Sequence, residues 1–320
     1  MNRVAADFIT PTPMVFRERH FGIPAMDTET WTLAVEGLVR KRLTLGLSDM
    51  ERLPHVEVTA CHECAGSPLR PHLPQRKAAN VKWRGVPLRA VLEAAGVHED
   101  ARYLLSSGAD GGTWQRAHHP AYEKDLPLAK ALHPATLLAT AMNDEPLPVG
   151  HGGPVRLVVP GYYGTNSTKW LRLLRLSARR SEGAFARKYY VDREPVGNTI
   201  RETPVWAMEP NSIIVSPVSG RTAGEGAALV EIWGWCWAEQ AVAWLDVSTD
   251  GGGTWTAAEL APRQDFAWQR FSLQWTPPGQ GEYRILARAT DEAGRTQPIE
   301  LRRNQIFESK VRIRYASSGG

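Results

Sequence analysis

Two short segments hold the residues best suited to chemistry. Thr59-Ala60-Cys61-His62-Glu63-Cys64-Ala65-Gly66 closes a short apolar strand on a thiol followed by two small residues, so the sulfur can sit in a backbone turn facing a large ligand. His151-Gly152-Gly153-Pro154-Val155-Arg156 brings an imidazole, glycines and a guanidinium into one loop ahead of another strand. A soft thiolate suits a transition metal, and histidine with arginine beside flexible backbone suits an anionic phosphate. Together they point to a metal carried by a large phosphorylated cofactor.

Cys61 and Cys64 also form a C-x-x-C pair, for which zinc, a redox disulfide and haem attachment compete. Zinc needs a second ligand pair, and Cys236 stands far downstream among tryptophans. Covalent c-type haem wants a histidine where Ala65 stands, and a thioredoxin-like motif opens a helix, whereas this one closes a strand. Each feature alone has a plainer reading. Cys64 could be a buried structural thiol, as Cys61 and Cys236 are expected to be. His151 to Pro154 could be a turn, Ser167-Thr168-Lys169 a solvated strand start, and Tyr190 a packed tyrosine.

Further segments lie in a specific order: Trp83-Arg84-Gly85-Val86-Pro87-Leu88, Ala141 to Pro148, Val158-Val159-Pro160-Gly161, Ser167-Thr168-Lys169-Trp170-Leu171 and Lys188-Tyr189-Tyr190. With Cys64-Ala65-Gly66 and His151 to Arg156, this order resembles the sulfite oxidase family of molybdenum enzymes, from about Phe16 to Asp291. The resemblance implies that Cys64 is the molybdenum ligand. It implies that His20, Asp110, His151, Arg156, Ser167, Thr168 and Lys169 contact the molybdopterin, with Arg156 and Lys169 neutralising a terminal phosphate. Tyr190, spaced from Lys169 like the family's active-site tyrosine, is expected to act on substrate.

The chain departs from the family at the substrate side. Phe16-Arg17-Glu18-Arg19-His20 places Glu18 where a substrate-facing arginine would be, so Arg17, Arg19 or Arg70 is expected to replace it. Ser67-Pro68 follows Gly66 in place of Asn-Arg, with Arg70 shortly after, and Leu301-Arg302-Arg303-Asn304 replaces a Trp-Asn segment.

The elements that must hold these residues are short. Trp31 to Val39 alternates like a strand, Leu45 to Leu53 reads as a short helix, and Pro87 to Ala95 reads as a helix stopped by Gly96. Tyr103 to Ser107 and Val155 to Val159 read as strands, and Leu126 to Leu132 and Ala135 to Thr140 as short elements. This is an α+β pattern. Beyond Thr203 lie eight of the twelve tryptophans, helical periodicity vanishes, and Val242 to Ser248 and Tyr283 to Thr290 alternate between turns. The expectation is a mixed α+β molybdopterin-binding domain over 1–203, then an all-β immunoglobulin-like sandwich over 204–320. Tyr283 matches the tyrosine of a late strand in such sandwiches. By resemblance the second module pairs two chains into a homodimer, and surplus tryptophan surface would mark that interface.

A chain of 320 residues suits two domains, and 42% hydrophobic with 22% charged content is that of an ordinary globular protein. The formal charge of +4 is spread rather than gathered in a patch, which argues against nucleic acid as partner. No stretch is apolar enough to span a membrane, and the start lacks an h-region, so the chain is expected in the cytoplasm, or the periplasm if a leader was removed. The expected activity is oxidation of sulfite to sulfate. No haem-binding segment is seen in this chain, so a separate electron carrier such as a cytochrome would take the electrons. Alternatives are a molybdopterin-dependent reductase of a sulfoxide or other S- or N-oxide, and an inactive cofactor-fold interaction protein.

Overall fold

Alternation at Thr32–Gly37 turns Leu33 and Val35 fully inward, the period-two pattern of a half-buried strand. In the computed structural model, which describes residues 6–67, 77–220, 222–223, 229–299 and 302–314, this strand lies parallel to Leu171–Ser177. Around that pair runs a five-stranded sheet in the order Leu43–Gly46, Thr32–Gly37, Leu171–Ser177, Tyr103–Gly108, Glu123–Pro127. Trp31 seals its edge, donating from Nε1 to the Leu171 carbonyl at 3.0 Å. A second sheet pairs Leu137–Met142 with Ala78–Pro87 on one side and Arg156–Val158 on the other. The expected helix forms at Leu88–Ala95, with Leu88, Val91, Leu92 and Ala95 buried on one stripe and Gly96 capping it. Leu45 to Leu53 splits into the end of a strand and the helix Leu47–Arg52.

The chain divides into two compact units, one of Phe16–Val58 and Lys82–Trp206, the other of Met1–Val15, Thr59–Val81 and Ala207–Gly320. The first is the α+β unit just described.

In the second unit, one sheet orders Asn211–Ser216, Val230–Trp237, Gln269–Trp275 and Glu259–Leu260. The other orders Thr222–Ala223, Ser309–Ile313, Gly281–Asp291, Val242–Ser248 and Thr256–Ala257. Ile232, Cys236, Leu245, Val247, Phe271, Ile285, Ala287 and Val311 fill the space between them, the core of a sandwich. Tyr283 Oη donates to the Gly279 carbonyl at 2.8 Å, the backward bond of an immunoglobulin-type tyrosine corner.

Part of the tryptophan surface expected at an interface is used inside the unit. Trp235, Trp237 and Trp268 are buried because other parts of the same unit cover them. Trp268 Nε1 donates to the Phe8 carbonyl at 3.0 Å, and the Phe8 and Trp235 rings lie 6.0 Å apart. Thr59 to Glu63 adds a further layer: Cys61 N–H donates to the Phe266 carbonyl and Phe266 N–H to the Thr59 carbonyl, at 2.8 and 3.0 Å. Three of the unit's seven tryptophans are therefore consumed within the chain, while Trp233, Trp255 and Trp275 are half-buried and Trp244 stays 51% exposed. Among the described residues no helix is long and apolar enough to cross a membrane.

Candidate active site

Cys64 follows directly on the Val56–Glu63 strand. The strand hands the chain to a tight turn in which Ser67 N–H donates to the Cys64 carbonyl at 2.9 Å and Gly66 N–H approaches Cys64 Sγ at 3.4 Å. The thiol is half-buried, whereas Cys61 and Cys236 are buried. Burial drives the Cys61 thiol well above its ordinary pKa, helped by the nearby Glu63 carboxylate, and raises Cys236 as well. The strand end is anchored by Glu63, which is 0% exposed. Its carboxylate accepts from Asn211 Nδ2 at 2.6 Å and Trp237 Nε1 at 2.9 Å.

Most remaining candidates gather in the α+β unit. The loop Val149–His151 continues through Gly152 to Arg156, whose buried guanidinium donates to the His151 carbonyl at 2.8 Å and the Ser167 carbonyl at 3.1 Å. Its other face lies 5.1 Å from the Trp83 ring, and burial lowers its pKa to about 9. Ser167 Oγ accepts the Val159 N–H at 3.1 Å, and Thr168 pairs with the Ser106 hydroxyl at 2.7 Å. Lys169 Nζ donates to the Glu18 carbonyl at 2.7 Å. Burial, aided by Arg156, lowers Lys169 to about 8, so it remains a cation at neutral pH.

Two glycines allow close packing here. A Cβ on Gly152, held at φ +102, would stand 2.5 Å from Lys169 Cγ. One on Gly108 would stand 2.4 Å from Asp110 Oδ1 and 2.6 Å from the Lys169 carbonyl. Both positions therefore exclude larger residues. Asp110 is buried, and among the described residues its Oδ1 has no hydrogen-bond partner. Burial lifts the Asp110 carboxyl to about 6, against the pull of its own backbone N–H and of Lys169.

His20 and Tyr190 come together from distant parts of the chain. Tyr190 follows a π-type turn, Phe185–Tyr189, and its hydroxyl lies 2.9 Å from His20 Nε2. The His20 ring stacks on Tyr122 (5.5 Å, 21°) and meets Trp114 and Phe185 edge-on at 4.6 and 4.8 Å. Burial, with Lys169 adding to it, lowers His20 from 6.5 to about 4. It is neutral at pH 7.

The unfolded chain binds this proton where the fold does not, between 6.5 and about 4. His20 therefore favours folding fully above that window, and the contribution is lost as pH falls through it. The substitution His20→Phe should flatten the acid limb of the melting temperature over those pH values. An unchanged limb would place the acid sensitivity elsewhere.

Two of the arginines expected to replace the substrate arginine are exposed. Arg17 lies beside Gly150, Arg19 is close enough to depress Lys169, and Glu18 between them is exposed too. Arg70 lies outside the described residues, as does Leu301. Lys124 was not anticipated: it is 0% exposed, with its ammonium 5.4 Å from the Tyr190 ring. Only the burial of Lys124 marks it out, because Glu123-Lys124-Asp125 reads as a solvated strand.

A model of the oxidoreductase molybdopterin binding domain matches residues 20–185, and one of the Mo-co oxidoreductase dimerisation domain matches residues 202–307. Sulfite oxidase of Gallus gallus is 32% identical over 92% of this chain and 69% of that protein. The chain belongs to the sulfite oxidase family. Mitochondrial sulfite oxidase of Homo sapiens is 33% identical over 91% of this chain, which spans only 58% of the human protein. In structure, this member of the sulfite oxidase family is similar to the sulfane dehydrogenase SoxCD from Paracoccus pantotrophus. The TM-score is 0.84 at 29% identity, covering 96% of this chain and 82% of that one. The cofactor is accordingly molybdenum on molybdopterin.

The residues present fit that group. Buried Arg156 and half-buried Lys169 suit its phosphate. Asp110, with an oxygen to spare in a dry wall, suits the ring N–H groups of a pterin. Gly108 and Gly152 let Asp110 and Lys169 pack where a side chain would push them aside.

Proposed function

We propose that this member of the family oxidises sulfite to sulfate and passes the electrons to a separate carrier such as a cytochrome. Sulfite takes an oxygen atom from water and releases two electrons and two protons. The observation that carries the reading is the set of cations in one unit, buried Arg156 and Lys124 with half-buried Lys169, together with a neutral His20 whose Nε2 lies 2.9 Å from the Tyr190 hydroxyl. Such a setting favours small anions, since charge in a dry wall is weakly screened.

In this reading Cys64 is the protein's ligand to molybdenum. Arg156 and Lys169 hold the cofactor phosphate, with Ser167 and Thr168 fixing the strand behind them. His151 and Asp110 contact the pterin. The bound molybdenum supplies two-electron redox chemistry and oxygen-atom transfer. Tyr190 Oη donates a hydrogen bond to the substrate oxyanion, and neutral His20, carrying its proton on Nε2, donates to the phenol oxygen. The molybdopterin domain ends near residue 203, and the sandwich pairs two chains. Light scattering at micromolar concentration should give a dimer, and a monomer would refute that part.

Turnover of sulfite by molybdenum-loaded protein is the test, run beside a sulfane-sulfur compound, a sulfoxide and an N-oxide. Glu18 refines it. Because Glu18 is exposed, its repulsion of a dianion is that of a solvated charge, and Glu18→Gln should raise sulfite kcat/KM by no more than about fivefold. Full molybdenum with no sulfite turnover in either protein would favour the S- or N-oxide reductase.

A further inference from the structure

Lys124 is an ammonium in an ill-suited place. Among the described residues it donates one hydrogen bond, to the Phe185 carbonyl at 3.4 Å, near the limit for such a bond, although an ammonium has three protons to place. The carboxylate beside it is engaged elsewhere. Asp125 accepts from Arg180 Nε and Nη2 at 2.8 and 3.2 Å and from Ser181 N–H at 3.2 Å. Burial lowers Lys124 to about 8, with Asp125 pulling it up and Arg180 pushing it down, so the charge persists at neutral pH. A buried charge so weakly bonded costs stability, and an apolar side chain of similar length would serve the packing better. Its ammonium faces the Tyr190 ring at 5.4 Å, within the range where a cation and an aromatic face interact.

We propose that Lys124 is a positioning residue for Tyr190: its buried ammonium keeps the phenol at positive potential, so that the hydroxyl donates to a bound oxyanion, and it does this against the stability of the fold. The inference rests on the anion-binding reading of Tyr190 given above. A structural role and this one differ in sign. If Lys124 served only to hold its strand, removing it would loosen the protein and leave anion binding alone. Here its removal should tighten the protein and weaken anion binding.

The test uses molybdenum-loaded protein, with inorganic sulfate as the probe and Lys124→Met, Tyr190→Phe and the double variant compared. Lys124→Met should melt several degrees higher than wild type. Its sulfate affinity by calorimetric titration should fall roughly tenfold, as expected when the phenol's hydrogen bond loses the assistance of the cation beside its ring. In the Tyr190→Phe background the same change should alter affinity by less than about threefold, because the phenol is the intermediary. A lower melting temperature, failure to fold, unchanged sulfate affinity, or an equal loss without the phenol would each overturn the proposal. If wild type loaded with molybdenum bound no sulfate, the oxyanion reading would fall and this role with it. Wild-type binding indifferent to Lys124 removes the role alone.

Discussion

Replacing Cys64 by serine should abolish turnover while the fold survives. A hydroxyl is a harder and much less basic donor than a thiolate and does not substitute for it on a soft metal site. Changes one shell away from a metal already cost about 10–100-fold, so loss of a direct ligand should exceed about a hundredfold. The fold should tolerate the change because Cys64 is half-buried in a turn held by backbone bonds. The companion Cys61→Ser should do the opposite. That thiol is buried, so a hydroxyl there should cost about 1–3 kcal/mol of stability and leave turnover within a few-fold of normal. Without the cofactor, iodoacetamide should alkylate Cys64 and spare Cys61 and Cys236, whose thiols burial keeps protonated. Inverted behaviour of the two variants, or alkylation led by Cys61, would move the ligand away from Cys64.

Trp237→Ala should be among the most destabilising single changes in the sandwich unit. The side chain is 1% exposed, and truncating a buried tryptophan costs about 3–5 kcal/mol through the cavity it leaves. It also removes the Nε1 bond to Glu63 Oε2, and a hydrogen bond to a charged group adds about 1.5–3 kcal/mol. The melting temperature should fall by roughly 10 °C or more for a unit of this size. Trp237→Phe separates the two effects, since it keeps most of the volume and loses the bond. It should show roughly a third of the drop. A Trp237→Phe protein that melts like wild type would mean that the Glu63 carboxylate needs no donor there.

Much of this molecule is legible in short windows of sequence. The stripe Leu88, Val91, Leu92, Ala95 is a helix whatever surrounds it, and Val242–Ser248 and Gly281–Asp291 alternate as strands of a sandwich must. Arg156 and His151 meet because five residues of loop can hardly separate them. Other features depend on partners far along the chain. Glu63 is buried by Asn211 and Trp237, which lie 148 and 174 residues away, and a glutamate before a cysteine gives no local sign of that. Lys124 looks solvated until Phe185 and Tyr190 close over it. The tryptophans depend on distant partners too: Phe8 and the Thr59–Glu63 segment of the same unit cover Trp235, Trp237 and Trp268, while Trp233, Trp244, Trp255 and Trp275 keep exposed surface.

The seating of Thr59–Glu63 on residues beyond 207 has a consequence for biosynthesis. A ribosome delivers the Cys64 strand early, and domains tend to fold in the order they emerge. A nascent chain that has grown only to residue 203 lacks Asn211, Trp237 and Phe266, so Glu63 and Cys61 are still without those bonds. The thiol met in the first quarter of the chain thus reaches its final setting only after the last quarter has begun to appear. Metal insertion before that moment would meet an unfinished strand, so loading should follow synthesis of the segment that carries Phe266.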